Sequence, residues 1–162
     1  MENAKDTFYV TLRNRLATAN PQRVVIVRGV QRPGILVEEA EGVVSQMPAD
    51  TFVLRWTDLD VDIQLPSVLA KMTCEFHYTT SGTQTHAGLD RGRALEEMDA
   101  ELLTMLSPAS AQKMNYAQTP ATAMETIVFW TAPEFMPMTT LRDRLTRVTK
   151  VTVFAFQEQG EL

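Results

Sequence analysis

From Val68 to Tyr78 apolar and polar side chains alternate with a period of two. Val68, Ala70, Met72, Cys74, Phe76 and Tyr78 fall on one face, and Lys71, Thr73, Glu75, His77 and Thr79 fall mostly on the other. Successive side chains of a strand point to opposite faces, so this stretch predicts a strand with one apolar side. Beyond a polar hinge over residues 80–90 the period changes. Leu95, Met98, Leu102 and Met105 recur at spacings of three and four, the signature of a helix with one apolar stripe. That helix can cover the apolar face of the strand before it.

The same reading places the other elements. Asp6 is positioned to cap a first helix over residues 7–17, where Phe8, Leu12 and Leu16 form a stripe and Asn20-Pro21 ends it. Residues 23–30, rich in valine and isoleucine, predict a buried strand, and Arg32-Pro33-Gly34 a turn. Residues 35–41 fit either a strand or a short helix. After a break at Met47-Pro48-Ala49-Asp50, the alternation of Phe52, Leu54 and Trp56 predicts a strand over 51–57, and Leu65-Pro66 opens the long strand. Residues 107–123, dominated by Ser, Ala, Gln, Thr and Pro, read as a long loop of the kind that is functional, disordered or wrapped around a neighbouring subunit. Closing strands follow over 124–131 and 145–156, separated by the proline-punctuated segment 132–138. The last has Val151, Val153 and Ala155 on one face and Phe154 and Phe156 on the other, which suits a central strand or one that meets another subunit. The expected fold is α+β: one domain over 1–162, a mixed and mostly antiparallel sheet, and two amphipathic helices on one face.

Composition narrows the class. A chain of 162 residues buries a real core without disulfides or metals. Twenty acidic against fifteen basic residues argue against a protein whose main work is neutralising phosphates, so no specific nucleic-acid binding is expected. No apolar run approaches the roughly 20 residues of a membrane span, and the start, Met1-Glu2-Asn3-Ala4-Lys5-Asp6, has no signal-peptide core behind it. The expectation is a soluble chain, cytoplasmic at synthesis, with no membrane partner. The single cysteine, Cys74, fits a reducing compartment.

Candidate chemistry is thin. Cys74 and His77 have a C-x-x-H spacing, but residues three apart on a strand face opposite ways, so they do not share a metal. His86 and Asp90 in the hinge hold the minimum for general base catalysis, with Ser81, Thr83 and Thr85 nearby, yet no nucleophile elbow accompanies them. Asp90 is better placed to meet free amides at the start of the second helix. Asp58-Leu59-Asp60-Val61-Asp62 opens like a calcium loop but has Ile63 where glycine is needed and Leu69 at the twelfth position. It reads instead as the solvated face of an edge strand. Neither glycine pair, Gly29–Gly34 or Gly82–Gly88, makes a phosphate loop. No metal, cofactor or catalytic residue is expected.

Met114, Tyr116, Phe135, Met136 and Met138 lie in segments that read as loops, where apolar side chains gain little unless something covers them. With the basic group Arg142, Arg144 and Arg147 they are the candidate contacts with a partner or another subunit. The rival reading folds those loops back over the chain's own core.

The order of elements resembles the tail terminator proteins of tailed bacteriophages and contractile injection systems. Residues 6–17 look like that family's amphipathic leading helix. Residues 72–80, running into the helix that starts at Asp90-Arg91-Gly92-Arg93-Ala94-Leu95, look like its strand followed by an Arg- and Ala-containing helix. Residues 145–156 look like its closing strand. Residues 35–65 have no counterpart. The resemblance implies a non-enzymatic homo-oligomer, a ring usually of six subunits, that caps the tail tube, meets tail tube and neck proteins, and resides in the virion tail. Two alternatives stand beside it: a small-ligand-binding or hydrolytic domain using His77, His86 and Asp90, and a dimeric bacterial adaptor.

Overall fold

A computed structural model describes residues 1–41, 47–64, 67–158 and 161. Leu65-Pro66, the predicted opening of the long strand, lies outside the described residues. Helix α1 (Glu2–Ala19) begins earlier than the sequence pattern suggests, so Asp6 sits inside it and caps nothing. Burial, and then the neighbouring Glu2, push the Asp6 carboxyl above its ordinary range. Ala4, Phe8, Leu12 and Leu16 are buried along one stripe, and the backbone N–H of Asn20 closes the last turn on the Leu16 carbonyl at 2.8 Å.

Strands β1 (Val24–Val27) and β2 (Val30–Pro33) pair only with each other, as an antiparallel ribbon outside the main sheet. Arg28 and Gly29 join them, both at positive φ (51° and 80°), the conformation that matches the right-handed twist of a two-residue hairpin. The expected buried strand over 23–30 is thus corrected to half of an exposed ribbon: Ile26 is 71% and Val30 64% exposed.

The main sheet contains β3 (Ile35–Val37), β4 (Phe52–Asp62), β5 (Leu69–Thr80), β6 (Ser110–Asn115), β7 (Thr122–Trp130), β8 (Glu134–Phe135), β9 (Thr139–Leu141) and β10 (Arg144–Phe156). Its order is β3-β4-β5-β10-β7-β6. β3 and β4 are parallel and every other pair is antiparallel. A short helix, α2 (Glu38–Glu41), follows β3, and α3 (Arg91–Leu106) follows β5. β10 pairs with β5 along its length from Leu145 to Phe156, while β9, β8 and β7 share its other edge in succession. The central position expected for the last strand is the one it occupies.

Two segments read as loops contain strands. Within 107–123, β6 forms a hairpin with β7, and within 132–144 the short β8 and β9 lie on β10. Their backbones pair even though their side chains carry little alternation.

One face of the sheet holds the core. Met72, Cys74 and Phe76 of β5, Val151 and Val153 of β10, and Val128 and Trp130 of β7 meet the buried stripes of α1 and α3. Phe8 is its hub, with ring centroids 5.1 Å from Trp130, 5.7 Å from Trp56 and 6.2 Å from Phe76. A bulge between Trp56 and Asp58 keeps β4 in phase with this core. Before it Leu54 and Trp56 lie opposite Phe76 and Cys74; after it Leu59 and Val61 lie opposite Met72 and Ala70. The extra residue, Thr57, leaves Asp58, Asp60 and Asp62 on the other face. β3 reaches only to Leu54, so among the described residues no strand pairs with the outer edge of β4 beyond it. The edge reading of the three aspartates matches this position.

Candidate functional site

The hinge residues are close together but badly arranged for a relay. The Thr83 hydroxyl donates to Asp90 Oδ2 at 2.7 Å and lies 3.1 Å from His86 Nδ1, and Asp90 Oδ2 lies 3.5 Å from that same nitrogen. A nucleophile–imidazole–carboxylate relay uses opposite nitrogens of the ring. Asp90 takes the N-cap position of α3, yet its side chain makes no bond to that helix; it accepts the Thr83 N–H at 2.9 Å. This corrects the expected bond to free helix amides. The hinge folds back on itself here, through left-handed Gly82 and Gly88, and Asp90 is held there by Thr83. Those Thr83 bonds hold the carboxyl below its ordinary range. An open cleft of about 380 Å³ alongside is lined by Ser81, Thr83, Gln84, Arg91 and Asp143, among others, and by neither His86 nor Asp90.

His77 lies far from that hinge pair in role. It faces the open side of the sheet, with Nε2 at 2.9 Å from Glu75 Oε2, in a row of charges that crosses three strands. Glu38 binds Arg55 through two bonds of 2.5 and 2.7 Å, Arg55 lies opposite Glu75 in register, and Lys150 reaches Glu75 at 3.2 Å. Burial raises the Glu75 carboxyl, but bonds from Lys150 and His77 outweigh it and hold it low. Cys74 faces the opposite way, fully buried, its thiol pushed well up by desolvation. Among the described residues no three His, Cys, Asp or Glu side chains are placed to hold a metal ion, and no helix is long and apolar enough to cross a membrane.

The eight candidate contact residues do not form one surface. Met114 and Tyr116 sit on β6 and its turn, half-buried, with the Met114 N–H donating to Thr7 Oγ1 of α1 at 2.9 Å. Burial raises the Tyr116 phenol. The other six lie around the first half of β10. Phe135 packs against the core, Met136 is half-buried, and its N–H meets the Val148 carbonyl at 3.0 Å. Arg144 donates to the Met47 carbonyl at 3.2 Å, and Arg147 pairs with Asp99 of α3. Met138 and Arg142 are exposed, beside Leu141 at 64%.

Two buried polar clusters escaped sequence reading. Tyr78, fully buried, donates to Asp99 at 2.5 Å and lies 3.0 Å from Thr149 Oγ1, so Tyr78, Asp99 and Arg147 tie α3 to the sheet. Desolvation, then the Asp99 bond, push the phenol far up; desolvation also raises Asp99. At the far edge Lys113 sits at the β6 bulge, 1% exposed, bound to Glu161 at 2.5 Å and to the Phe156 carbonyl at 2.7 Å. No local pattern marks Lys113 as buried. The ribbon also escaped, although Arg28-Gly29 between valines was a readable hairpin signal.

The exposed surface has its own division of charge. Residues 21–37, which include the ribbon, contain Arg23, Arg28 and Arg32 and no acid. Arg23 is taken up by Glu101 and by the Asp50 carbonyl. Residues 57–64, at the open part of β4, contain Asp58, Asp60 and Asp62 and no Lys or Arg. Leu59 and Ile63 are 48% and 76% exposed there.

No family model matches the chain, and no curated protein matches it. Among solved structures, a chain of one described as "Virion of native gene transfer agent (GTA) particle" is similar over 93% of this chain and 94% of that one, at 12% identity and a TM-score of 0.32. A likeness of that degree is too slight to carry fold or function across.

Proposed function

We propose that this chain is a non-enzymatic structural subunit that assembles with copies of itself into a ring, capping the tail tube of a phage-like particle and joining it to the neck. The observation that carries this reading is the exposure of large apolar side chains on the ribbon and at the margins of the sheet. Ile26 and Val30 lie on the ribbon, Leu59 and Ile63 beside the open edge of β4, and Met138 and Leu141 at the β9–β10 hairpin. Apolar surface of this kind on several margins suits contacts with neighbours rather than a pocket for a small molecule. A head-to-tail contact whose rotation closes gives a ring. The resemblance in element order to tail terminators supplies the particular ring. The shared Nδ1 contact in the hinge weighs against the hydrolytic alternative.

Light scattering on the purified chain, followed by electron microscopy, tests the reading. A closed ring, or a monomer that forms rings as concentration rises, is the expected result. A monomer at every concentration counts against it, and a discrete dimer favours the adaptor.

A further inference from the structure

We infer that the β1–β2 ribbon of one copy docks on the open edge of β4 in the next copy, with Arg28 set against Asp58, Asp60 and Asp62. The inference rests on the self-assembly reading above and names the two surfaces that meet.

Both surfaces are incomplete as they stand. A two-stranded ribbon is marginal in water without further packing. Its first strand is entirely β-branched, and Ile26 and Val30 are left largely exposed. On the other side, β4 beyond Leu54 presents a row of backbone groups that no described strand pairs. Such an edge is a template for an added strand, and like charges along it reject most comers. Three aspartates reject acidic segments and accept a basic one. The ribbon is the basic apolar strand pair this chain carries outside its sheet, in a protein of net charge −5.

The geometry requires a second copy. Gly34, directly after the ribbon, is tied to the start of β4 by the Phe52 N–H at 2.9 Å. Asp62 lies ten residues further on, roughly 33 Å away at 3.3 Å per residue. A ribbon with strands of four residues spans about 13 Å, whereas even Asp58 lies roughly 20 Å along β4, so the ribbon does not reach the three aspartates of its own chain. Each copy therefore offers an arm at one end of a sheet edge and a seat at the other. That arrangement is head-to-tail and repeats.

The test uses the full chain and two independent readouts. Sedimentation velocity compares the parent with Arg28→Glu, Asp60→Arg and the double exchange. Each single variant should weaken self-association roughly tenfold or more, and the double exchange should restore it. All four should melt alike, because the positions are exposed. Separately, Ile26→Cys mixed with Leu59→Cys should give an intermolecular 26–59 disulfide on mild oxidation, with the parent's buried Cys74 unreactive. If the chain assembles but the charge variants match the parent and no 26–59 link forms, the docking inference is overturned while self-assembly stands. If the parent does not self-associate at its highest soluble concentration, both fall.

Discussion

The Lys113 ammonium lies 2.5 Å from the Glu161 carboxylate, and both side chains are shut off from solvent at 1% and 2% exposure. Removing one partner of such a pair strands a buried charge, which costs about 3–5 kcal/mol. Glu161→Ala should fall near the lower figure, since the Phe156 carbonyl still accepts from Lys113. Replacing both with methionine and leucine should cost far less. Urea denaturation of the three variants checks the order.

Acid should loosen this corner before the rest. Burial pushes Glu161 and Glu158 up, but Lys113 and the Glu158 N–H on the first, and the Thr126 hydroxyl with the Glu125 and Thr126 N–H groups on the second, outweigh it. Both carboxyls therefore sit below their ordinary 4.5. A depressed acid contributes stability that is complete above its unfolded value and lost as pH falls through the folded one. Protection of the Glu125 and Thr126 amides from hydrogen exchange, taken relative to the free-peptide rate at each pH, should fall as the pH drops below that range. Glu161→Gln should flatten the Glu161 part of the dependence; an unchanged profile would refute the assignment.

Phe8 touches Trp56, Phe76 and Trp130 at once, and nothing of it reaches solvent. Phe8→Ala should lower stability by about 3–5 kcal/mol, because three rigid rings around the site collapse poorly into the space left. Calorimetry on this variant and on the exposed Ile26→Ala should separate core from surface: the second should stay within about 0.5 kcal/mol of the parent.

Tyr78→Phe removes one donor to Asp99 while Arg147 still pairs with that carboxylate. The loss should be about 1–2 kcal/mol, the worth of a hydrogen bond to a charged group. Asp99→Ala should cost more, since it leaves the Tyr78 hydroxyl with Thr149 alone and Arg147 without its carboxylate. Thermal melts of both, with the double variant, measure the coupling.

Deleting Thr57 should be tolerated. Trp56 and Leu59 face the core on either side of the bulge, so removing the extra residue leaves a regular strand with every side chain on its present face. Near-ultraviolet circular dichroism should keep its native form. Loss of the folded signal would show that the bulge itself is needed.

The long strand, its hinge and α3 were legible because burial on one face writes period two and then period 3.6 into the residues. The central place of β10 was legible for the same reason, as apolar side chains occupy both its faces. β6, β8 and β9 were hidden: their pairing is backbone to backbone and asks little of side chains such as Ser110, Gln112 or Thr140. The ribbon was misread because its valines and isoleucine have core composition without core burial. At the hinge, Thr83 outcompetes the helix for Asp90, a contest between two local partners that spacing alone does not decide. The Lys113–Glu161 pair joins residues 48 positions apart and left no local trace.

β10 stands in the middle of the sheet although it follows every other strand in the chain. During synthesis β4 and β5 emerge first as one hairpin and β6 and β7 later as another, and neither half has its neighbour until residues 144–156 leave the ribosome. Until then the inner edge of β5 stays open in the nascent chain. A shortened chain that lacks β10 loses the seam rather than a margin, and its two hairpins are left joined only through the helices packed on them. The sheet becomes continuous only when residues through 156 are in place.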